Sequence, residues 1–143
     1  MTTPRVCAIL VNYNAGPELR RALQSIADEL VGIAWEAVVV DNGSSDGSTA
    51  IVEELAPQVR LLRNGDNVGF ARGVNQGLAA TTAPRVLIMN PDCHLMSGAL
   101  AAMSTELDRS PSCALVGPRI LHPDGSLQGS ARGDPDMLTG LFG

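Results

Sequence analysis

Apolar positions along the chain fall into two alternating rhythms. Continuous runs at 6–14 ("VCAILVNYN"), 36–42 ("EAVVVDN"), 59–64 ("VRLLRN"), 85–92 ("RVLIMNPD") and 113–121 ("CALVGPRIL") predict five strands, four of them ending in polar residues. Runs without in-and-out alternation predict strands covered on both faces, as in a parallel sheet. Between them, Leu19, Ala22, Leu23, Ile26, Ala27 and Leu30 recur at intervals of three and four. Ile51, Val52 and Leu55 begin a second such stripe, Phe70, Val74 and Leu78 a third, and Leu100, Met103 and Leu107 a fourth. That spacing predicts helices with one buried face, and Pro17 with Glu18 suits the opening turn of the first. Gly73 and Gly77 inside the third helix cost about 1 kcal/mol each relative to Ala, so they call for a packing or binding reason. "HPDGSLQ" at 122–128 carries the Asp-Gly signal of a tight hairpin turn. Strands alternating with helices across short connections predict an α/β domain with a mainly parallel sheet.

In an open parallel sheet, ligands gather outside the carboxyl ends of the strands. Those ends carry Asn12, Tyr13 and Asn14; Asp41 and Asn42; Asn64, Asp66 and Asn67; and Asn90 and Asp92. Such residues are also ordinary turn and capping residues, and Ser44, Ser45 and Asp46 read mainly as a loop that caps the next helix. Asp41, directly after three valines, is badly placed for a cap and well placed to accept a hydrogen bond from a ligand. Asp92 alone is as much a turn acid as a ligand. Its proline and preceding strand suggest a carboxylate held in one position, which a divalent cation bridging two phosphates would use. Tyr13, the sole tyrosine, offers a face for stacking on a planar base.

Composition narrows the chemistry. The chain has 143 residues, a net charge of -5 and ten Lys+Arg residues, all of them arginine and scattered. A nucleic-acid footprint needs a clustered basic face, so no nucleic-acid partner is expected. Without lysine there is no GxxxxGK[ST] phosphate loop, Schiff base or Lys general base. Cys7, Cys93 and Cys113 are widely spaced and read as reduced thiols. His94 and His122 have no metal-ligand spacing, and no activating group adjoins Cys93. No apolar run approaches the roughly 20 residues of a spanning helix, and the expectation is a cytoplasmic location. "MLTGLFG" at 137–143 reads as the start of a further apolar element.

Five ordered motifs, "VNYN", "VVVDNGSSDGS", "NVGFARGVNQGL", "LIMNPD" and "GPRILHPDGSLQGSAR", together resemble the family 2 glycosyltransferases, in particular their bacterial rhamnosyltransferase-like branch, which builds cell-wall polysaccharide. The resemblance implies a three-layer α/β/α sandwich of the GT-A (nucleotide-diphospho-sugar transferase) fold, of which residues 1–143 would be the N-terminal part as a single domain without the acceptor-binding half. It implies that Val11, Asn12 and Tyr13 line a nucleotide pocket and that Asp41 accepts a hydrogen bond from the base. The helix opening at Gly69, with Arg72, would lie near the diphosphate, where a helix N-terminus and a cation favour negative charge. Asn90 would face the ribose or sugar, and Asp92 would ligate Mg²⁺ or Mn²⁺.

The implied partners are a dTDP-, UDP- or GDP-sugar donor and a glycan or lipid-linked acceptor. A homodimer and peripheral association with the inner membrane face stay open. Two departures matter: "NPD" stands where the family has D-x-D, and the family's catalytic base belongs to a motif well downstream of the hairpin. Asp124, Asp134 and Asp136 lie in a turn-rich segment ahead of that region. The expectations are therefore a donor-binding glycosyltransferase domain of doubtful transfer activity and, alternatively, an inactive binding or assembly module on the same fold. A dinucleotide oxidoreductase is disfavoured by "NYNAG" in place of GxGxxG, and a receiver domain by the missing lysine.

Overall fold

A computed structural model describes residues 4–55 and 57–129. The chain divides into two compact units, Met1–Ala101 and Ala102–Gly143. In chain order the elements are β1 (Val6–Asn12), α1 (Glu18–Glu29), β2 (Trp35–Asp41), α2 (Ala50–Glu54), β3 (Val59–Arg63), α3 (Phe70–Ala79), β4 (Arg85–Ile88) and α4 (Ala99–Arg109). The four strands form one sheet in the order β3-β2-β1-β4, and every pairing is parallel. The protein is thus α/β, with helices on both faces of a parallel sheet.

The apolar runs form strands because the central two bury both faces. Ala8, Leu10, Ala37 and Val39 face one cluster with Leu19, Ala22, Leu23 and Ile26 of α1 and Ile51 and Val52 of α2. Cys7, Ile9, Val38 and Val40 face the other. Each large aliphatic side chain removed from water in this way contributes about 1.5–3 kcal/mol. Pro17 sits at the N-cap of α1, one position earlier than its expected place in the first turn, and Glu18 follows it.

The glycines of α3 have a packing reason. Gly73, Val74 and Gly77 are its buried residues, whereas Phe70 and Leu78, expected on the buried stripe, are exposed. A Cβ on Gly73 would meet the Val11 methyls at 2.9 Å, and one on Gly77 would meet Ile9 Cγ2 at 2.5 Å. The helix backbone lies flat on β1 because these positions carry no side chain.

Two strand expectations are corrected. The fourth run pairs only over Arg85–Ile88; the Met89 N–H still donates to the Ile9 carbonyl at 3.1 Å, and Pro91 then disfavours continuation. As an edge strand it is covered on one side only: Leu87 packs on the core, while Val86 and Ile88 are exposed. The fifth run forms no strand. Gly117 and Pro118 interrupt it, and proline has no N–H for a ladder; among its residues only Leu121 pairs, in an isolated antiparallel bridge to Leu127. The hairpin turn itself forms, with Gly125 at φ 82° and the His122 N–H donating to the Ser126 carbonyl at 2.8 Å. Asp134, Asp136 and the run at 137–143 lie outside the described residues.

Candidate functional site

Parallel pairing puts all four strand carboxyl ends on one rim. Asn12 is opposite Asp41 in the register, and Asp41 is opposite Arg63, so the ends of β1, β2 and β3 are level. Val11 and Asn12 are buried, as is Asp41, which is 5% exposed. The structure brings Asn12 and Asp41 into direct contact: the Asn12 side-chain amide donates to Asp41 Oδ1 at 2.9 Å. Ser44 Oγ and Ser48 Oγ also lie 2.9 Å from that amide nitrogen. Three oxygens therefore surround an amide with two hydrogens, while the buried Asn12 Oδ1 has no partner among the described residues. The second carboxylate oxygen of Asp41 accepts the Ser44 N–H at 3.2 Å.

The loops that follow β1 and β2 are stitched together by side chains. Asn14, at φ 53°, is the one non-glycine described residue with positive φ, a conformation asparagine tolerates. Its N–H donates to Ser44 Oγ at 2.9 Å, and its Oδ1 accepts the Ser45 N–H at 2.8 Å. Asp46 accepts the Gly16 N–H at 2.7 Å and the Ser48 N–H at 3.0 Å. These bonds, led by those from Ser48, hold its carboxyl below the usual range. The expected capping role for Ser45 and Asp46 is thus corrected: the N-cap of α2 is Thr49, with no side-chain cap bond, and the 44–46 loop instead clamps the loop after β1. Tyr13, between the buried Asn12 and the clamped Asn14, is exposed.

The other flank of β2 is held by amides. The Asn42 Oδ1 accepts from Asn64 at 2.9 Å, and its amide nitrogen lies 3.2 Å from Asn67 Oδ1 and 3.4 Å from the Gly69 carbonyl. Asn64 and Gln76 exchange two bonds of 2.9 Å each. Gly69, the N-cap of α3, has φ 84° and ψ 165°, a region essentially reserved for glycine, and its N–H donates to Asn67 Oδ1 at 3.0 Å. Arg72 is exposed on the first turn of α3, without an ion-pair partner among the described residues.

Asn90, Pro91 and Asp92 form a turn closed by the Cys93 N–H to the Asn90 carbonyl at 3.2 Å. Asn90 and Asp92 are exposed, and no hydrogen bond among the described residues ties them to Asp41 or Arg72. Cys93 packs on the core cluster, and burial, followed by the neighbouring Asp92 charge, pushes its thiol up, so it is a packing residue and a poor nucleophile. The chain then returns over α1, where the Leu95 N–H donates to Ser25 Oγ at 3.0 Å and Glu29 accepts the Gly98 and Leu100 N–H groups at 2.8 and 3.1 Å.

Residue patterning did not single out Ser48 or Gln76. Their signal is weak: a serine among serines, and a glutamine beside the sheet-facing Gly77. A shallow cavity of about 280 Å³, lined by residues including Gly16, Arg20, Asp46 and Ser48, lies beside the clamped loops. Among the described residues no three His, Cys, Asp or Glu side chains gather as a metal cluster, and no helix is long and apolar enough to cross a membrane.

Comparison with known proteins places this rim in context. Residues 7–135 match the family model "Glycosyl transferase family 2". The chain is 33% identical to the N-acetylglucosaminyl-diphospho-decaprenol L-rhamnosyltransferase of Mycobacterium tuberculosis, across 92% of this chain and 46% of that protein. It therefore spans about half the length of the curated relative it matches. Among solved structures it resembles a mannosyltransferase from Pyrobaculum calidifontis in complex with GDP-Man and Mn²⁺, with TM-score 0.68, 26% identity and coverage of 87% of this chain and 37% of that one. It also shares the fold of TarS from S. aureus, with TM-score 0.64, 22% identity and coverage of 75% and 20%. Both neighbours carry the GT-A fold, and the α/β architecture seen here is that fold.

Proposed function

Since this chain belongs to glycosyl transferase family 2, we propose that its strand-end rim binds the nucleotide-diphospho-sugar donor of a hexosyl transfer, rhamnosyl being the favoured sugar, to a glycan or lipid-linked acceptor. The observation that carries this reading is the juxtaposition, across level strand ends, of the buried Asp41 with the exposed Tyr13. In this reading Tyr13 stacks on the base, and Asp41, its carboxylate fixed by Asn12 and the Ser44 N–H, accepts the base N–H. Val11 and Asn12 form the floor. The α3 start at Gly69 and the Arg72 guanidinium face the diphosphate, where both favour negative charge, and Asn90 faces the ribose or sugar.

The donor set fits a divalent metal only of one kind. Mg²⁺ commonly takes one or two protein carboxylates together with substrate phosphates and water. A single exposed Asp92 fits an ion that arrives with the diphosphate, and it does not fit an all-protein cage. Asp92 would hold Mg²⁺ or Mn²⁺, which when bound neutralises charge on the departing nucleoside diphosphate. Deprotonation of the acceptor hydroxyl, worth about 10² to 10⁴ in rate, is assigned to no described residue, so donor binding is the activity assigned to this rim.

A thermal-shift series with UDP, dTDP and GDP, each with and without Mn²⁺, tests the reading, because a ligand that binds the folded state raises its apparent stability. Metal-dependent stabilisation by one nucleotide, lost in Asp92→Ala, is expected; no response to any nucleotide overturns it. A second reading, an assembly module, is favoured by the exposed Val86 and Ile88 on edge strand β4, since uncovered apolar edges promote pairing. Light scattering separates the two, because a clean monomer removes that support.

A further inference from the structure

Asp41 and Asn42 are consecutive, both nearly fully buried, and they serve opposite flanks of the rim. Asp41 is tied to Asn12 and Ser44. Asn42 is tied to Asn64, Asn67 and Gly69. From Asn64 the chain of bonds runs on to Gln76 through a reciprocal amide pair, and the Asn64 N–H donates to the Asp41 carbonyl at 2.8 Å. The side chains of Asn42, Asn64, Asn67 and Gln76 are neutral amides, and in each bond between them an N–H meets an oxygen, so turning any one amide over would set oxygen against oxygen or N–H against N–H.

This network supplies what the packing of α3 lacks. The face of α3 against β1 is flat at Gly73 and Gly77, where the nearest sheet atoms leave no room even for a methyl group. A flat contact fixes distance from the sheet but has few knobs to fix position along the helix axis. The amides grip the helix at Gly69 and Gln76, about two turns apart, and Gly69 has no side-chain cap of its own.

We infer that Asn42, Asn64 and Gln76 are positioning residues that lock the first turn of α3, and with it Arg72, in register with Asp41, so that the base end and the diphosphate end of the donor are recognised as one rigid unit. The inference rests on the nucleotide reading for its functional consequence, but its mechanical part can be tested in the ligand-free protein.

The experiment compares wild type, Gln76→Leu and Gln76→Glu. Gln76→Glu keeps an acceptor for the Asn64 amide but sets a charged oxygen against Asn64 Oδ1. In hydrogen exchange without ligand, the Gly73 N–H, which donates to the Gly69 carbonyl at 3.1 Å, should lose protection about tenfold in Gln76→Leu, while the β1 amides stay unchanged. By calorimetry, Gln76→Leu should weaken the nucleoside diphosphate about tenfold and the parent nucleoside less than about twofold, and Gln76→Glu should likewise weaken the nucleoside diphosphate more than the nucleoside. Equal losses for nucleoside and nucleoside diphosphate, or unchanged exchange at Gly73, overturn the inference even where wild type binds nucleotide. Wild type that binds no nucleotide while Gly73 still loses protection refutes the nucleotide reading and leaves the mechanical lock standing. If Gln76→Leu does not fold, the same measurements on Gln76→Glu decide.

Discussion

Gly77→Ala puts the contact between α3 and β1 to a direct test. A methyl group at this position would sit 2.5 Å from Ile9 Cγ2 and 3.2 Å from Ile9 Cδ1, and Ile9 is fully buried in the central strand. Nothing there can yield cheaply. Overpacking a core costs about 1–3 kcal/mol, and exchanging a helical glycine for alanine returns about 1 kcal/mol. The net expectation is a loss of about 1 kcal/mol, which for a chain of this size lowers Tm by about 2–4 °C. Gly65→Ala is the control: it has open space and no positive φ, so it should be neutral or stabilising by up to about 1 kcal/mol. Pairing Gly77→Ala with Ile9→Ala makes the test specific, because the added methyl fills part of the space that Ile9 vacates. The double variant should be more stable than the sum of the single losses predicts, by about 0.5–3 kcal/mol. Chemical denaturation reads wild type and all four variants. A Gly77→Ala protein that gains the full helix-propensity benefit, with strict additivity in the double variant, would refute the claim that glycine is there to let the backbone approach.

Other expectations follow from the clamped loops and the core. Asn12→Ala leaves Asp41 Oδ1 and its serine neighbours without their amide and should cost about 1–3 kcal/mol, read by urea denaturation; an unchanged midpoint would remove Asn12 from the account of how Asp41 is held. The Asp46 carboxyl is held below its ordinary range, so the unfolded state binds protons more readily, and the stability it contributes is complete above the ordinary carboxylate range and is lost as pH falls through the folded value. Asp46→Asn should therefore melt below wild type at pH 7, with the gap narrowing as pH drops below about 4; a gap independent of pH contradicts it. Burial pushes the Cys7 thiol up, so mass spectrometry after alkylation at pH 8 should find Cys7 unmodified in the folded protein and modified in urea.

Much of this architecture was legible along the chain. β1 and β2 announce themselves because a strand buried on two faces has only one way to be written, as a run of branched apolar residues, whereas β3, with Arg60 and Arg63 exposed, is an edge strand with partial cover. β4 forms as the run predicts but with one face uncovered: "RVLI" reads like β1 and β2, yet the strand lies on an edge, and its two exposed side chains record which face has no cover. Gly117 and Pro118 had already broken the fifth run, and apolar content alone hid the break.

At the rim the polar residues were legible as a set, but their division of labour was not. Asn12 and Asn42 look alike in the sequence, and only the fold shows that one serves the loops after β1 and β2 while the other serves α3. Gln76 was invisible because its partner, Asn64, is twelve residues away. The periodicity of α3 points to Phe70, Val74 and Leu78, of which only Val74 is buried. The buried stripe is made instead of glycine and one valine.

The central claim, that this rim holds a nucleotide, is tested most directly on its exposed members, whose replacement leaves the core untouched. Tyr13 and Asp92 are both exposed, so Tyr13→Ala and Asp92→Ala should melt within about 1 °C of wild type, as surface changes do. Isothermal titration of UDP, dTDP and GDP in the presence of Mn²⁺ should find one that binds wild type, with affinity falling about tenfold in Tyr13→Ala, the cost of one lost stacking contact, and at least as far in Asp92→Ala. Binding by none of the three, or binding undiminished in both variants, would contradict the account.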